Sequence, residues 1–413
     1  MNLRILSSSI FLILAIIVNP FFIKNSFIAD GNLDLPSLVI TYFLSFFFFV
    51  TASFILIIKK KIKLLKYEVE FKHSFFYFLS ISIIPLFFVS IESVLWFGNR
   101  FFGEPSKTED IIAQNEMKSH SGNVFTSNGI IFPTKYSSKY FNVNEEGFRT
   151  YDFKQRKTTT RIALIGGSTT YGINVADENT IPKILEKIIT NSGRKVSVWN
   201  LGVSGINSYD EFKILKSTHE QINPDIVVFY HGANDFAKIY NEVKKKTPKS
   251  LILEDKLINR VHVILNQFQT ISIIKMVIYF FKEILSVEKE INEDLFLSKE
   301  FTKQGEKIAE YCNFSGLQCY FFLQPLLETK KYLTFFETKI LYERKFIFPD
   351  YGNLYNIFVD NVIESSQVEY VDLRHTLNDI KKRFFYDYVH TTTNGNKIIA
   401  NKIYELLVKN KAF

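Results

Sequence analysis

The sequence predicts an α/β fold: a three-layer α/β/α sandwich with a parallel sheet, preceded by three N-terminal transmembrane helices. Two observations lead to this prediction. From about residue 160 onward, short apolar runs typical of strands alternate with stretches in which apolar residues recur every three or four positions. Before about residue 98, the chain instead contains three longer apolar runs of the kind that crosses a bilayer.

Five short apolar runs predict the strands of the sheet. They are continuous rather than alternating, because a parallel strand covered by helices is buried on both faces. The runs are Arg161–Ile165, Val196–Leu201, Ile226–Tyr230, Gln318–Phe322 and Glu369–Val371. The stretches with helical spacing between them are Ile181–Thr190, Tyr209–Glu220 and Phe301–Tyr311. A helix between two strands lets both run in the same direction, through a right-handed crossover, so the sheet is expected to be parallel. The ligands of such sheets bind at the carboxyl ends of the strands.

The first 98 residues predict a membrane domain, residues 1–98. Its apolar runs are Ile5–Phe22, Leu35–Ile58 and Ser74–Phe97, and the first is about as short as a span can be. A lysine-rich loop separates the second run from the third and contains Lys59, Lys60, Lys61, Lys63, Lys66 and Lys72. The positive-inside rule places this loop in the cytoplasm, so residues after about Asn99 are expected outside it, in the periplasm or at the cell surface. The alternative is a buried apolar hairpin of a water-soluble protein.

The formal net charge of +8 at pH 7 does not indicate nucleic-acid binding, because much of it comes from the lysine-rich loop. The rest of the chain has no basic stripe interleaved with stacking aromatic residues, so we expect no nucleic-acid partner. The two cysteines, Cys312 and Cys319, are too few for a disulfide scaffold or a zinc site. They are expected either to form one disulfide in an oxidising compartment or to be two small buried residues.

The remainder of the chain divides into a lead-in and an α/β domain. Residues 99–141 are polar and weakly periodic, which predicts a linker or a loosely structured lead-in. The α/β domain spans residues 142–413 and carries insertions at about residues 236–300 and 326–366. The first insertion contains the apolar stretch His262–Val287. Three interpretations of this stretch remain: an amphipathic helix over the site or on the membrane surface, a helix packed on the domain, or a fourth membrane span. The second insertion is rich in aromatic residues and is expected to be mostly helical.

The segment GGSTTYG, Gly166–Gly172, follows the first predicted strand and opens a helical stretch. Its glycines permit a sharp turn and the close approach of a substrate to the hydroxyl of Ser168. The start of a helix favours negative charge, and the Ser168 amide can donate to it. The segment lacks the lysine and the spacing of a nucleotide-binding P-loop, which is the alternative interpretation. Ser168 is therefore a candidate nucleophile.

Two further segments, NLGVSG and HGAND, follow the second and third predicted strands. Gly202 in the first has a backbone N–H that no side chain screens, and Asn234 in the second has a side-chain amide donor. Together with the Ser168 amide, both are candidate donors to an oxyanion. The alternatives are an ordinary turn at Gly202 and a turn or helix cap at Asn234. We interpret His231 of HGAND as a packing residue, because His390 has the better setting for catalysis.

An Asp-x-x-His pair near the C-terminus, Asp387 and His390, completes the set. The residues that follow, with Asn394 and Gly395 at a helix start and isoleucines at helical spacing, predict a helix. A loop before that helix can hold both side chains at the mouth of the sheet. His390 would accept the Ser168 proton, and Asp387 would hold the imidazole in the productive tautomer. An isolated pair of this kind predicts only a surface loop, but the four segments in this order are far more specific.

The order and contents of the four segments closely resemble the SGNH (GDSL-like) hydrolase family, over roughly Asn144 to the C-terminus. The first block reads Gly-Gly-Ser-Thr rather than Gly-Asp-Ser-Leu, and Asn144–Arg149 is similar to an N-x-x-G-F-R element of some membrane-attached bacterial relatives. The resemblance implies a triad of Ser168, His390 and Asp387. It also implies an oxyanion hole formed by Ser168, Gly202 and Asn234, with no metal and no cofactor.

These expectations combine into a membrane-anchored, extracytoplasmic serine esterase or O-acyl (acetyl) transferase. Its expected partners are the lipid bilayer and an acylated carbohydrate or lipid, whose acyl group would pass through an acyl-serine intermediate on Ser168. An alternative from another class is a non-catalytic envelope protein that binds glycan in the same pocket. A transporter or sensor would rest only on the apolar runs and on Glu92 within the third of them.

Overall fold

The fold is seen in a computed structural model, which describes residues 12–13, 44–45, 47–48, 51, 61–64, 67–70, 107–120, 124–127, 130–151, 153, 160–246, 296–348, 350–378 and 382–413. The chain forms two compact units. The first is Met1–Gly103 with Leu253–Ile278, and the second is Glu104–Ile252 with Tyr279–Phe413.

Little of the first unit belongs to the described residues. Within its lysine-rich segment, strands Lys61–Leu64 and Tyr67–Glu70 form an antiparallel hairpin. The three predicted spans lie almost wholly outside the described residues, and His262–Val287 lies wholly outside them. Within the described part of the chain, no helix has both the length and the apolar character needed to span a bilayer. The membrane domain therefore stays a prediction.

The second unit is built on a five-stranded parallel sheet. Its strands are β1 (Thr160–Gly166), β2 (Val196–Gly202), β3 (Ile226–His231), β4 (Gln318–Leu323) and β5 (Tyr370–Asp372). They lie in the order β5-β4-β3-β1-β2, and every neighbouring pair is parallel. The predicted α/β fold with a parallel sheet is confirmed, and each strand starts and ends within about two residues of the run that predicted it.

Nine helices accompany the sheet in the described part of this unit. They are α1 (Thr108–Ser119), α2 (Ser168–Tyr171), α3 (Ile181–Asn191), α4 (Ser208–Ile222), α5 (Ala233–Lys246), α6 (Phe296–Phe314), α7 (Phe335–Ile347), α8 (Tyr351–Ser365) and α9 (Thr393–Lys409). Three of them, α3, α4 and α6, contain the stretches in which helical spacing was observed. The second insertion forms α7 and α8, whereas residues 247–295 of the first lie outside the described part.

Alternate residues of each strand enter one of two apolar cores, so helices cover both faces of the sheet. On one face, Ala163 and Ile165 of β1 pack in a cluster with apolar residues of α4, α6 and α8. On the other face, Ile162 and Leu164 pack with α3 and α9. This arrangement gives the three layers and explains why the strands are apolar at consecutive positions.

The lead-in is more ordered than its polar composition predicts. It contains α1 and two small antiparallel hairpins, one of which pairs Tyr136–Ser137 with Asn142–Val143. From Glu104 onward its residues belong to the same compact unit as the sheet, and Ala113 and Phe141 share an apolar cluster with Tyr171 of α2. The linker expected over residues 99–141 therefore needs correction in the part that the structure describes, from Lys107 onward. Helical spacing was weak there because polar contacts, rather than an apolar stripe, hold α1 in place.

Cys312 at the end of α6 and Cys319 in β4 form a disulfide. The bond closes the short turn between this helix and this strand. Of the two possibilities that the sequence left open, the structure therefore shows the disulfide.

Candidate active site

The carboxyl ends of β1, β2 and β3 meet at one edge of the sheet, where Gly166 is in register with Gly202 on one side and with Tyr230 on the other. The first two glycines of GGSTTYG are required by close packing. A Cβ on Gly166 would lie 2.4 Å from the Tyr230 carbonyl oxygen, and one on Gly167 would lie 2.5 Å from Nδ2 of Asn234. The chain can therefore turn sharply after β1 only where side chains are absent.

Ser168 begins α2, a helix of a single turn. Gly167 precedes it in an extended conformation, and Gly172 ends the turn with φ of +87°. The next side chain, Thr169, is anchored by a 3.1 Å hydrogen bond from its hydroxyl to Oε1 of Gln324, which follows β4. Strand, turn and anchor together leave the Ser168 side chain partly exposed at the edge of the sheet.

The structure joins Ser168, His390 and Asp387 in a continuous hydrogen-bonded chain. Nε2 of His390 lies 2.8 Å from Oγ of Ser168. Nδ1 of His390 lies 2.6 Å from Oδ2 of Asp387. With its proton on Nδ1 facing the carboxylate, the imidazole has a lone pair on Nε2 to accept the serine proton.

Asp387 is held by more than the imidazole. Its Oδ1 accepts the backbone N–H groups of Val389 at 2.9 Å and of His390 at 2.8 Å. Burial by itself would raise the pKa of the Asp387 carboxyl, but the hydrogen bonds and charge of His390 outweigh it, so the pKa lies below its ordinary value. The carboxylate thus stays ionised and can stabilise the imidazolium that forms when Ser168 is deprotonated.

Asn234 lies where an oxyanion donor is needed. It occupies the first turn of α5, and its Nδ2 is the nearest group to a Cβ built on Gly167, the residue before Ser168. One N–H of this amide donates to the carbonyl of Ile206 at 2.7 Å. Since a primary amide has two N–H groups, this bond fixes the orientation of Asn234 and leaves the second donor for a ligand.

Gly202 does not fit the donor role expected for it. Its N–H donates at 3.0 Å to Oδ1 of Asn200, and a Cβ here would lie 2.2 Å from the backbone nitrogen of Tyr171. The residue is a glycine because α2 packs directly against it, and its amide is occupied within the protein.

Gly205, the second glycine of NLGVSG, is the better candidate donor. It is exposed, has φ of +80°, and among the described residues its N–H has no acceptor. The next carbonyl along the chain, that of Ile206, approaches Gly167 as well as Asn234. The segment NLGVSG contains two glycines that could be donors, and only the packing of the folded chain distinguishes the occupied amide from the other one.

His231 lies outside the hydrogen-bonded chain. It is buried, its Nδ1 lies 2.8 Å from Oε2 of Glu211, and its ring packs against Phe301 and Phe321. Burial raises the pKa of the Glu211 carboxyl. This is the packing position that the sequence predicted for His231. Within the described ranges, no three His, Cys, Asp or Glu side chains are grouped so as to hold a metal ion.

One protein family matches the part of the chain that carries most of the site. The family described as GDSL-like Lipase/Acylhydrolase matches residues 162–403, which is more than half of the 413 residues and includes Ser168, Asn234, Asp387 and His390. Among curated proteins, none matches the chain.

Solved structures similar to this chain include three esterases or acylhydrolases. The acetyl xylan esterase AlAXEase is 13% identical with a TM-score of 0.34, and the match covers 60% of this chain and 99% of that one. The lipase/acylhydrolase from Enterococcus faecalis is 17% identical with a TM-score of 0.35, over 60% of this chain and 95% of that one. The psychrotrophic esterase EstA from Pseudoalteromonas sp. is 12% identical with a TM-score of 0.34, over 60% of this chain and 97% of that one. The family match, rather than these likenesses, places the chain.

Proposed function

Because the chain belongs to the GDSL-like lipase/acylhydrolase family and is a serine hydrolase acting on esters, we propose that Ser168, His390 and Asp387 are its catalytic triad. The observation that carries this proposal is the unbroken chain of two hydrogen bonds from Oγ of Ser168 through the imidazole of His390 to the carboxylate of Asp387. A serine, a base in contact with it and an acid that orients the base are what acyl transfer requires.

The reaction begins when His390 takes the hydroxyl proton of Ser168 as Oγ attacks the ester carbonyl. The tetrahedral intermediate breaks its bond to the alcohol oxygen, which leaves with the proton from His390, and the acyl group stays on Ser168. Water or an acceptor hydroxyl then attacks the acyl-serine, giving up its proton to His390. This second tetrahedral intermediate breaks its bond to Oγ of Ser168, which takes the proton back from His390, and the acid or the new ester leaves. Asp387 stays ionised throughout and keeps the imidazole oriented.

Three donors are proposed for the oxyanion of this intermediate: the Ser168 amide, Nδ2 of Asn234 and the Gly205 amide in place of Gly202. Each such donor typically contributes on the order of 100-fold to 1,000-fold in rate. The start of α2 adds a favourable partial charge at the same place.

We further propose that the enzyme is membrane-anchored, with its catalytic unit outside the cytoplasm. The three apolar runs and the lysine-rich loop between the second and third support this. The Cys312–Cys319 disulfide supports it as well, because disulfides persist mainly in oxidising compartments. Acyl groups, such as acetyl, on cell-surface glycan or lipid are the substrates that fit this location, and the acceptor that resolves the acyl-serine decides between hydrolysis and transfer.

A fluorophosphonate probe tests the triad in the full chain purified in detergent. We expect one label on Ser168 of the wild type, hydrolysis of p-nitrophenyl acetate, and loss of both in Ser168→Ala and His390→Ala. A folded wild type that neither labels nor turns over esters would overturn the proposed chemistry and favour a glycan-binding protein.

The location is tested separately with a protease-cleavable tag added after Phe413. In intact protoplasts, external protease should remove the tag from an extracytoplasmic catalytic unit. Cleavage only after lysis would reverse the proposed topology while leaving the chemistry intact.

A further inference from the structure

The helix that carries Ser168 is too short to satisfy its own backbone. With a single turn, Ser168–Tyr171, α2 leaves its C-terminal carbonyl groups without partners inside the helix. The carbonyl of Tyr171, which ends α2, and those of Gly172 and Val175 after it nevertheless accept hydrogen bonds, and one side-chain donor from outside the family-matched residues 162–403 serves all three.

That donor is Arg149, whose side chain has no exposed surface. Its Nη1 donates to the carbonyls of Tyr171 at 3.2 Å and Gly172 at 2.5 Å, and its Nη2 donates to that of Val175 at 2.6 Å. Its Nε donates to Oδ1 of Asp177 at 2.6 Å, which supplies the balancing charge. A guanidinium can serve four acceptors in one plane, and a cation at a helix C-terminus is favourable.

A buried acidic side chain of the lead-in lies close by. Asp110 of α1 is 1% exposed, and its Oδ1 accepts the Ala176 N–H at 2.8 Å and Nδ2 of Asn179 at 2.7 Å. Its Oδ2 accepts the hydroxyl of Thr393 at 2.6 Å. Thr393 is the first residue of α9 and follows His390 by three positions.

A parallel set of contacts reaches the same loop. Nδ2 of Asn396 donates to the Asn179 carbonyl at 2.8 Å, and its Oδ1 accepts the hydroxyl of Thr391, the residue after His390. The segment after α2 is thus tied at two points to the residues that follow His390. These contacts run from the nucleophile's helix to the base's loop without passing through the reacting atoms.

We propose that Arg149 and Asp110 are positioning residues of the active site, so that α1 in the lead-in and the segment Asn144–Arg149 after the lead-in hold the catalytic centre in place. The inference rests on the proposed role of Ser168 and His390. Arg149 sets where α2 ends and hence where Ser168 begins it, and Asp110 sets the distance between α2 and the His390 loop. Displacing a reacting group by about 1 Å can cost on the order of 100-fold in rate, so these residues act on kcat without contacting the substrate.

The test compares Arg149→Met and Arg149→Lys with a matched control, Arg161→Met. Arg161 is also an arginine paired with an acid, Asp225, but it lies at the opposite end of β1 from Ser168. For each variant, the amplitude of fluorophosphonate labelling counts intact sites, and the labelling rate, kcat and KM for p-nitrophenyl acetate are expressed per intact site.

For Arg149→Met we expect kcat and the labelling rate per site to fall about 10-fold to 100-fold with KM nearly unchanged. Arg149→Lys should recover part of this loss, because an ammonium keeps the charge but cannot reach all four acceptors. Arg161→Met should keep the wild-type kcat per site. Asp110→Asn, which keeps the shape but turns one acceptor toward Thr393 into a donor, should show a smaller fall than Arg149→Met.

The inference is overturned if Arg149→Met and Asp110→Asn match the wild type per intact site, or lose only what Arg161→Met loses. If Arg149→Met does not fold, Arg149→Lys and Asp110→Asn decide in the same way. An inactive, unlabelled wild type would instead overturn the proposed function, so the two failures are distinguishable.

Discussion

The two halves of the proposed triad are held in opposite ways. The turn that presents Ser168 and the residues just after it have surplus carbonyls, and a cation, Arg149, donates to those of Tyr171, Gly172 and Val175. The stretch that leads to Asp387 and His390 has surplus N–H groups, and an anion, Glu337 of α7, accepts those of Phe384 at 2.8 Å and Phe385 at 3.3 Å.

Glu337 is as buried as Arg149 and is balanced in a similar way. Its other oxygen accepts Nζ of Lys330, which also donates to the Lys382 carbonyl, and both side chains of this pair are at most 1% exposed. Neither catalytic segment has enough regular structure to satisfy its own backbone, and in each case one buried charge of the right sign supplies the missing partners. This site therefore depends on segments that carry none of its chemistry.

Replacing Asp387 separates the chemistry of the His390 half from the placement of its backbone, and should have the strongest effect on activity. In Asp387→Asn the remaining oxygen can still accept the Val389 and His390 amides, but the amide no longer favours the tautomer with its proton on Nδ1. We expect kcat to fall on the order of 10,000-fold in a protein that melts cooperatively. Retention of more than about a tenth of the activity would show that Asp387 does not orient the base.

The second effect tests the Glu337 side of the comparison. Glu337→Ala leaves Lys330 buried without its anion and two N–H groups without an acceptor, which should lower the free energy of unfolding by about 3–5 kcal/mol. Denaturant unfolding measures this, with the exposed Glu364→Ala on the neighbouring helix α8 as control. Equal midpoints for the two variants would mean that the loop is held by other contacts.

A third effect should appear on the Ser168 half alone. Asn234→Ala removes a proposed oxyanion donor and is expected to lower kcat by about 100-fold to 1,000-fold with little change in KM. Asn401→Ala, in which a surface asparagine of α9 is removed, serves as the control and should keep full activity. An Asn234→Ala enzyme with wild-type kcat would exclude this side chain from the oxyanion hole.

The smallest effect is on stability at acid pH. The pKa of the Asp387 carboxyl is lower in the folded state than in the unfolded state. Its contribution to the free energy of unfolding is therefore fully present above the unfolded-state pKa, about 4, and is lost as the pH falls through the folded-state pKa. Unfolding midpoints of the wild type should therefore decline faster below about pH 4 than those of Asp387→Asn. Parallel curves for the two proteins would contradict the lowered pKa.

Much of the fold could be predicted because its signals are local. Continuous apolar runs located the five strands, and parallel strands bring their carboxyl ends together, so Ser168, Asn234 and His390 could be expected at one edge before any contact was known. The donor assigned to Gly202 was wrong for a tertiary reason. Both glycines of NLGVSG lie at or just after the end of β2, and only the packing of α2 against Gly202 distinguishes the one whose amide is occupied.

By itself, the sequence determined the parallel α/β sheet, the order of its strands along the chain and the side chains with the chemistry for acyl transfer, because each of these depends on neighbouring residues or on strand geometry. Only the tertiary structure decided how those side chains are held. Arg149 and Asp177, or Glu337 and Phe384, are far apart in the chain, and a buried charge has no periodicity to mark it. Its role appears only when the fold brings it to backbone groups that have no other partner.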